Sequence, residues 1–124
     1  MESVNRTFAF KELKVWQKAL DFTDHVILLS ENLTAKQKHF RLIEQLESAS
    51  ASIPQNIAEG KGRRSKKEFI QFLYIARGSL YEVITLLNLF NRRKWIKRED
   101  LDYLENDALQ IASMIKGLIN SLYN

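Results

Sequence analysis

The chain has 124 residues, of which 45% are apolar, and only four glycines and one proline. This composition predicts one compact domain, residues 1–124, with a sizeable core. The absence of cysteine excludes disulfides, thiolate chemistry and cysteine-based zinc sites, and it is typical of a reducing cytoplasm.

Neither a targeting segment nor a membrane span is predicted. Residues 1–6 have no apolar stretch of the kind that a signal peptide requires. The longest apolar run, Phe72–Ala76, is far too short to cross a bilayer. We therefore expect a soluble, cytoplasmic protein that does not act on a membrane.

The charge is distributed unevenly along the chain, although the net charge is only +4. Residues 1–60 have a net charge of −1, residues 61–98 have 11 basic and 2 acidic groups, a net +9, and residues 99–124 have −4. Such segregation suits a polyanion-binding surface, because Lys and Arg placed against phosphates release condensed counterions. The simpler explanation is that these charges solvate helix ends.

The first predicted helix covers about residues 12–31 and ends near Asn32, which tolerates a left-handed backbone. Its apolar positions alternate spacings of three and four, which is typical of a helix with one buried face. The predicted core-facing residues are Leu13, Trp16, Leu20, Thr23 and Ile27.

The second predicted helix covers about residues 35–59, with the spacing of a capping box at Thr34–Gln37. An interior proline removes an N–H and costs about 3 kcal/mol. Apolar residues nevertheless keep one phase on both sides of Pro54, so we interpret the segment as one helix kinked there. These residues are Leu42, Leu46, Ala49, Ile53 and Ile57. The serines at 48, 50 and 52 either bond carbonyls around the kink or permit close packing.

The third predicted helix covers about residues 66–91, after a second capping box at Ser65–Glu68. Its predicted core positions are Phe69, Phe72, Ala76, Leu80, Val83, Leu87 and Phe90. Further apolar residues lie outside that stripe, namely Ile70, Leu73, Tyr74, Tyr81, Ile84 and Leu86. An arc this wide indicates burial on two sides, which favours a subunit interface and a homo-oligomer. A central helix of a monomer explains it too.

The last predicted helix covers about residues 98–122 and has a heptad-like seam of Leu101, Leu104, Ala108, Ile111, Ile115, Leu118 and Leu122. Four helices joined by short turns predict an all-α, antiparallel up-down-up-down four-helix bundle. A third helix about 40 Å long places two basic clusters at opposite ends. The first comprises Lys61, Arg63, Arg64, Lys66 and Lys67, and the second Arg92, Arg93, Lys94, Lys97 and Arg98.

The first cluster occupies a turn with two explanations of equal weight. Gly60 and Gly62 would let the backbone turn tightly, and free N–H groups at the next helix start would bind a phosphate beside the cations. Alternatively, Ser65 and Glu68 already satisfy those donors, and the charges keep an oligomer soluble. The glycine spacing is not that of a Walker loop, and no strand precedes it.

The segment Ser52–Gly60 reads Ser-Ile-Pro-Gln-Asn-Ile-Ala-Glu-Gly, and other residues extend the pattern: Gln45, Gly62, Arg63, Arg64, Ser65, Glu68, Phe69, Phe72, Leu73, Ile75, Ala76, Gly78, Ser79 and Glu82. The pattern resembles the bacterial 23S rRNA-intervening sequence protein family, whose members are often called simply four-helix-bundle proteins. The resemblance covers nearly the whole chain, from Leu13–Trp16 to the last helix.

The resemblance implies a four-helix bundle that assembles as a ring-like homopentamer. The family is similar to the accessory variability determinant of diversity-generating retroelements, which partners a reverse transcriptase and binds nucleic acid. Several members are encoded within insertions in large-subunit rRNA genes, which describes gene location and does not demonstrate rRNA binding. The "ribosomal protein" label is correspondingly weak.

The chain departs from the family pattern at two places. Gln45 is followed by Leu46, Glu47 and Ser48, where basic residues are usual, which weakens the case for a basic face on the second helix. Lys61 stands where an aromatic residue is common, which adds charge to the turn and removes a stacking group.

The polar and small residues of the motif are predicted to be structural, with Asn56 and Glu59 as a buried polar pair near the kink. They satisfy backbone groups, fix helix register or permit close helix approach, and Glu59 is expected to pair with Arg63, Arg64 or Arg77. This set comprises Ser52, Pro54, Asn56, Glu59, Gly60, Gly78, Ser79 and Glu82.

No catalytic, metal-binding or cofactor-binding pattern is present. His25 and His39 lie in different segments without metal-ligand spacing, and no serine has a nucleophile-elbow context. We expect a non-enzymatic protein of one of two classes. The first is a pentamer that binds structured RNA or other nucleic acid through its basic clusters. The second is a scaffold or accessory subunit that contacts an acidic protein, such as a nucleic-acid enzyme.

Overall fold

The computed structural model describes residues 7–33 and 38–123. A short 3₁₀ helix, Ala9–Glu12, precedes four helices: α1 (Lys14–Glu31), α2 (Phe40–Lys61), α3 (Lys66–Arg92) and α4 (Arg98–Tyr123). These described residues contain no strand, so the predicted all-α class is confirmed. None of the helices in these ranges has both the length and the apolar content needed to cross a membrane.

The helices form the predicted up-down-up-down bundle. Each helix packs against its neighbours in sequence, and α4 closes the bundle against α1. Within the two described ranges, the diagonal pairs α1/α3 and α2/α4 have no Cα atoms within 8 Å of each other. The 27 residues of α3 span about 40 Å at ~1.5 Å per residue. Residues 61–67, here called the basic turn, therefore lie at the opposite end from residues 92–98, the far turn.

The second helix begins later than predicted. Lys38 and His39 form a turn, and α2 starts at Phe40. The capping box expected at Thr34–Gln37 lies outside the described residues. The apolar face of α2 is otherwise close to the prediction, because Leu46, Ala49, Ile53 and Ile57 are all buried.

The core-facing side of α1 was predicted correctly only in part: Thr23 is buried, and Leu13 and Trp16 are partly buried against the core. Its buried apolar residues are Val15, Ala19, Phe22 and Val26, whereas Leu20 is exposed. Two stripes with the same three-and-four spacing run side by side along this helix. Spacing alone does not rank them, and packing against α2 and α4 selects the stripe that contains Ala19 and Phe22.

The wide apolar arc of α3 is only partly explained within one chain. Ile70, Leu73 and Leu86 are buried, because α3 packs against both α2 and α4. The position of α3 between two helices is enough to explain the burial of these three residues. Tyr74 and Tyr81 remain 41% and 56% exposed, respectively.

The second helix continues through Pro54 because another helix replaces the missing hydrogen bond. Proline has no N–H, so the carbonyl of Ser50 loses its usual donor within the helix. The Thr23 hydroxyl on α1 donates a hydrogen bond of 2.7 Å to that carbonyl oxygen, and both residues are buried. The Ser52 hydroxyl instead bonds the Ala49 carbonyl at 2.8 Å. The proline thus ties α2 to α1.

Replacing Thr23 with Val keeps the side-chain shape and removes the donor. We expect the free energy of unfolding to fall by about 1–3 kcal/mol, because a buried carbonyl is left unpaired. Urea denaturation of the variant and wild type, followed by circular dichroism, measures the loss.

The same substitution in a Pro54→Ala background is the control. Alanine restores an N–H that reaches the Ser50 carbonyl within α2, so Thr23→Val should cost clearly less there. Equal costs in the two backgrounds would show that the hydroxyl does not compensate for the proline.

Candidate nucleic-acid interface

The basic turn is positioned by a close contact between α2 and α3 at Gly60. A Cβ atom on this buried glycine would lie 2.7 Å from Phe72 Cβ and 2.9 Å from Phe69 Cδ1. The expectation that Gly60 and Gly62 supply unusual backbone freedom is wrong, since no described glycine has positive φ. Gly60 is needed for helix packing, and Gly62 follows α2 with φ of −80°.

The start of α3 is capped by its own sequence. Ser65 Oγ accepts a hydrogen bond of 3.1 Å from the Glu68 N–H, as the capping motif predicts. One of the free donors at this helix end is therefore occupied. This hydrogen bond supports the explanation that Ser65 and Glu68 satisfy the backbone donors of the turn. An anion at the turn would then contact the cationic side chains.

Five exposed cations lie within the seven residues of the basic turn. Arg63 is held by an ion pair of 2.8 Å with Glu59, and its guanidinium lies 4.8 Å from the Phe72 ring centroid. The other cations have no ion pair among the described residues, and they are Lys61, Arg64, Lys66 and Lys67. The turn thus carries positive charge that the described chain does not neutralise.

Aromatic side chains flank the basic turn on the side of the first residues. Phe8 and Phe10 are stacked with ring centroids 5.7 Å apart, and Phe10 meets Trp16 edge-on at 5.1 Å. Phe8 is 69% exposed. An open depression of about 370 Å³ lies between these rings and the end of α2, with Lys61 and Arg63 in its wall. Phe8 and Phe10 were not among the site residues predicted from the sequence, although two aromatic residues just before the first helix could have indicated them.

A second aromatic flank lies beside the start of α3. Tyr74 and Tyr123 line an open depression of about 440 Å³ with Lys66 and Lys67. A hydrogen bond with the Tyr74 side chain raises the pKa of the Tyr123 hydroxyl above its ordinary value. The C-terminal end of α4 therefore belongs to the same surface as the basic turn.

The far turn has a different character. Its Trp95 is half-buried and packs on His39 and Phe90, with ring centroids 4.6 and 4.9 Å away. Lys94 has a left-handed backbone with φ of 63°. Arg98 is paired with Asp102 at 3.1 Å, and the first turn of α4 adds two more acidic residues. Arg92, Arg93, Lys94, Lys97 and Arg98 are exposed there, and the nearby aromatic side chain is used for packing.

The family model for the 23S rRNA-intervening sequence protein matches residues 11–117. The chain belongs to this family. A solved structure from Bacteroides thetaiotaomicron, described as a protein with unknown function from the S23 ribosomal protein family, is 30% identical to the chain. The two superimpose with a TM-score of 0.79, covering 85% of this chain and 97% of the other. None of the curated proteins matches. The solved relative thus shares the fold of this chain, and its own function is unknown.

The polar residues of the family motif make contacts between and within helices. The hydroxyls of Ser52 and Ser79 share a hydrogen bond of 2.5 Å, in which Ser52 accepts while it donates to Ala49, and this bond links α2 to α3. The Asn56 amide donates to the Ser52 carbonyl at 2.7 Å. The Gln45 amide donates to the Glu82 carboxylate at 3.0 Å. These contacts hold α2 and α3 in register.

Two other motif residues lie elsewhere than predicted. Glu59 is exposed rather than part of a buried pair, but its expected pairing with a nearby arginine is confirmed, since it binds Arg63. Gly78 has no atom within 4 Å of the position of an added Cβ, so no helix of the same chain approaches it. Gly78 lies on the same exposed face of α3 as Tyr74 and Tyr81.

The histidines do not form a common site. His25 packs edge-on against the Tyr103 ring at 5.4 Å, and His39 stacks on Trp95 near the far turn. In the part of the chain that the structure describes, no three His, Asp or Glu residues are grouped as metal ligands. The basic turn is therefore the site on which a function can be built.

Gly60→Ala should destabilise the bundle, because the new methyl group meets two phenylalanines on α3. We expect a loss of about 1–3 kcal/mol in unfolding free energy from such overpacking. Gly117→Ala is the matched control, since nothing lies within 4 Å of the added Cβ. That variant should gain roughly 0.5–1 kcal/mol from the higher helix propensity of alanine. Urea denaturation measures both, and equal effects would contradict the close contact.

Proposed function

We propose that this protein is a non-enzymatic, self-assembling protein that binds structured RNA or other nucleic acid through the basic turn. The observation that carries the proposal is a group of four exposed cations beside exposed aromatic rings, namely Lys61, Arg64, Lys66 and Lys67, which have no ion pair with any described residue. Cations in such a group attract phosphates irrespective of sequence. The proposed contact is therefore backbone-directed and of low sequence specificity.

The basic turn is a better candidate than the far turn for two physical reasons. Acidic side chains of α4 lie close to the far turn and reduce its attraction for an anion, as the Arg98–Asp102 pair illustrates. Trp95 is also engaged with His39 and Phe90, so it offers less surface to a base than the aromatics beside the basic turn do.

Self-assembly is supported by the open face of α3 and α4. Tyr74, Gly78 and Tyr81 are exposed on α3, and an apolar depression of about 410 Å³ runs between Tyr81 and Leu109 of α4. A second copy of the chain is the occupant that we propose, as a homopentamer of the kind the family resemblance implies. Five basic turns on one rim would then act together on one polyanion, which raises affinity by avidity.

The nucleic-acid contact predicts a steep dependence on salt. The logarithm of the binding constant should fall with the logarithm of salt concentration by about 0.7–0.9 per phosphate neutralised. Arg64→Glu/Lys67→Glu, which leaves the Glu59–Arg63 pair intact, should weaken binding and flatten this slope. Fluorescence anisotropy with a labelled RNA hairpin, from 25 to 300 mM salt, measures both.

Arg92→Glu/Arg93→Glu at the far turn is the matched control, because it makes the same change in net charge. The control should retain most of the wild-type affinity. Equal losses in the two variants would contradict the choice of the basic turn. If wild type does not bind even at low salt, nucleic-acid binding is refuted and a scaffold that contacts an acidic protein becomes the better hypothesis.

The assembly predicts a mass in solution several times the 14.5 kDa of one chain. Tyr81→Asp should lower that mass without loss of helicity, because it places a charge in the proposed interface. Tyr103→Asp is the matched control, because Tyr81 and Tyr103 are both 56% exposed. Tyr103 lies on the side of α4 that faces α1, away from the proposed interface. Size-exclusion chromatography with light scattering measures all three proteins. A wild-type mass of one chain at micromolar concentration would refute assembly.

A further inference from the structure

We infer that the depression beside Phe8 binds an unpaired nucleotide, with its base on the Phe8 ring and a neighbouring phosphate on Lys61. The inference rests on the proposed nucleic-acid binding and specifies its ligand. That ligand is a loop or a single strand with an accessible base, rather than an uninterrupted duplex.

Phe8 presents an exposed aromatic ring at one side of the depression. Phenylalanine has no polar atom, and yet 69% of this residue is exposed. The ring is nonetheless supported from behind: Phe10 stacks against it with an angle of 20° between the planes, and Phe10 in turn meets Trp16 on α1. A base placed on Phe8 would extend this aromatic series, and stacking of this kind accepts any base.

The charges around Phe8 favour a phosphate at one part of the depression. Lys61 and Arg63 lie in the wall of the same depression, and Lys61 has no ion pair within the described ranges. Arg63 is already engaged by Glu59 and by the Phe72 ring. The Glu59 carboxylate also lines the depression and repels a phosphate at that side. A phosphate is therefore directed towards Lys61, and the base towards Phe8.

The combination of ring and cation distinguishes an unpaired nucleotide from the other occupants. Paired bases have their faces covered by neighbours within the helix, so a duplex offers phosphates but no base for Phe8. An apolar partner surface would cover Phe8 and would also bury the ammonium group of Lys61 without a counter-charge, which is costly. A flexible strand satisfies both groups at once.

The test compares labelled 12-nucleotide oligouridylate, 12-nucleotide oligodeoxyuridylate, which differs from it only in the sugar, and a 12-base-pair duplex in low salt by fluorescence anisotropy. Phe8→Ala should weaken binding of the two single strands about 5- to 100-fold, the range expected for loss of one stacked base. Binding of the duplex should stay within twofold of wild type. Phe8→Trp should restore the single-strand affinity, because indole presents a larger stacking surface.

Phe40→Ala is the matched control, since Phe40 is 58% exposed at the opposite end of the bundle. It should leave all three affinities unchanged. Circular dichroism and light scattering on each variant confirm that fold and mass are kept.

Failure of the inference is distinguishable from failure of the proposed function. If Phe8→Ala weakens no ligand, or weakens duplex and strands equally, stacking is overturned, while Arg64→Glu/Lys67→Glu still reports on the phosphate contact. If Phe8→Ala lowers the oligomeric mass and leaves strand binding unchanged, Phe8 belongs to a contact between copies and the inference is overturned. If wild type binds none of the three ligands, both proposals fall. A loss confined to RNA or to DNA supports stacking and identifies the preferred sugar.

Discussion

The bundle depends on a hydrogen bond that crosses from α1 to α2. Pro54 removes an N–H from the middle of α2, and the Thr23 hydroxyl supplies the donor that the Ser50 carbonyl would otherwise lack. A proline inside a long helix would normally weaken the segment beyond it. Here the deficit is met by a neighbouring helix, so the part of α2 after the proline continues to Gly60 and fixes where the basic turn lies.

The candidate site is assembled from three separate parts of the chain at one end of the bundle. The turn between α2 and α3 provides the cations, the residues before α1 provide Phe8, and the end of α4 provides Tyr123. Their proximity follows from the up-down-up-down topology, which places the start of α1 and the end of α4 beside the α2–α3 connection. The opposite end has similar numbers of cations, but acidic residues and a packed tryptophan alter what they offer a ligand.

The sequence predicted the features that depend on local pattern and missed those that depend on tertiary contact. The Ser65 cap, the position of the basic turn between α2 and α3 and most of the buried faces of α2 and α4 follow from spacing and residue type. On those faces Ile43 and Ile119 are buried, whereas the predicted Leu42 and Leu118 are only partly buried. The α1 face was predicted only in part because two equivalent stripes compete there. Thr23 as the partner of a carbonyl on α2 could not be predicted, because no local pattern pairs a threonine with a distant proline. Phe8 was not singled out because its proximity to the basic turn depends on how the residues before α1 pack beside the end of α2.

The tight contact at Gly60 has a consequence for the thermodynamics of binding. Because α2 and α3 pack closely there, the basic turn is a short connection held at both ends by packed helices. Ordering a mobile loop normally subtracts from affinity, whereas this turn requires little ordering before it meets a polyanion. Loosening the contact, even without changing any charge, would therefore convert a preorganised surface into one that must become ordered as it binds.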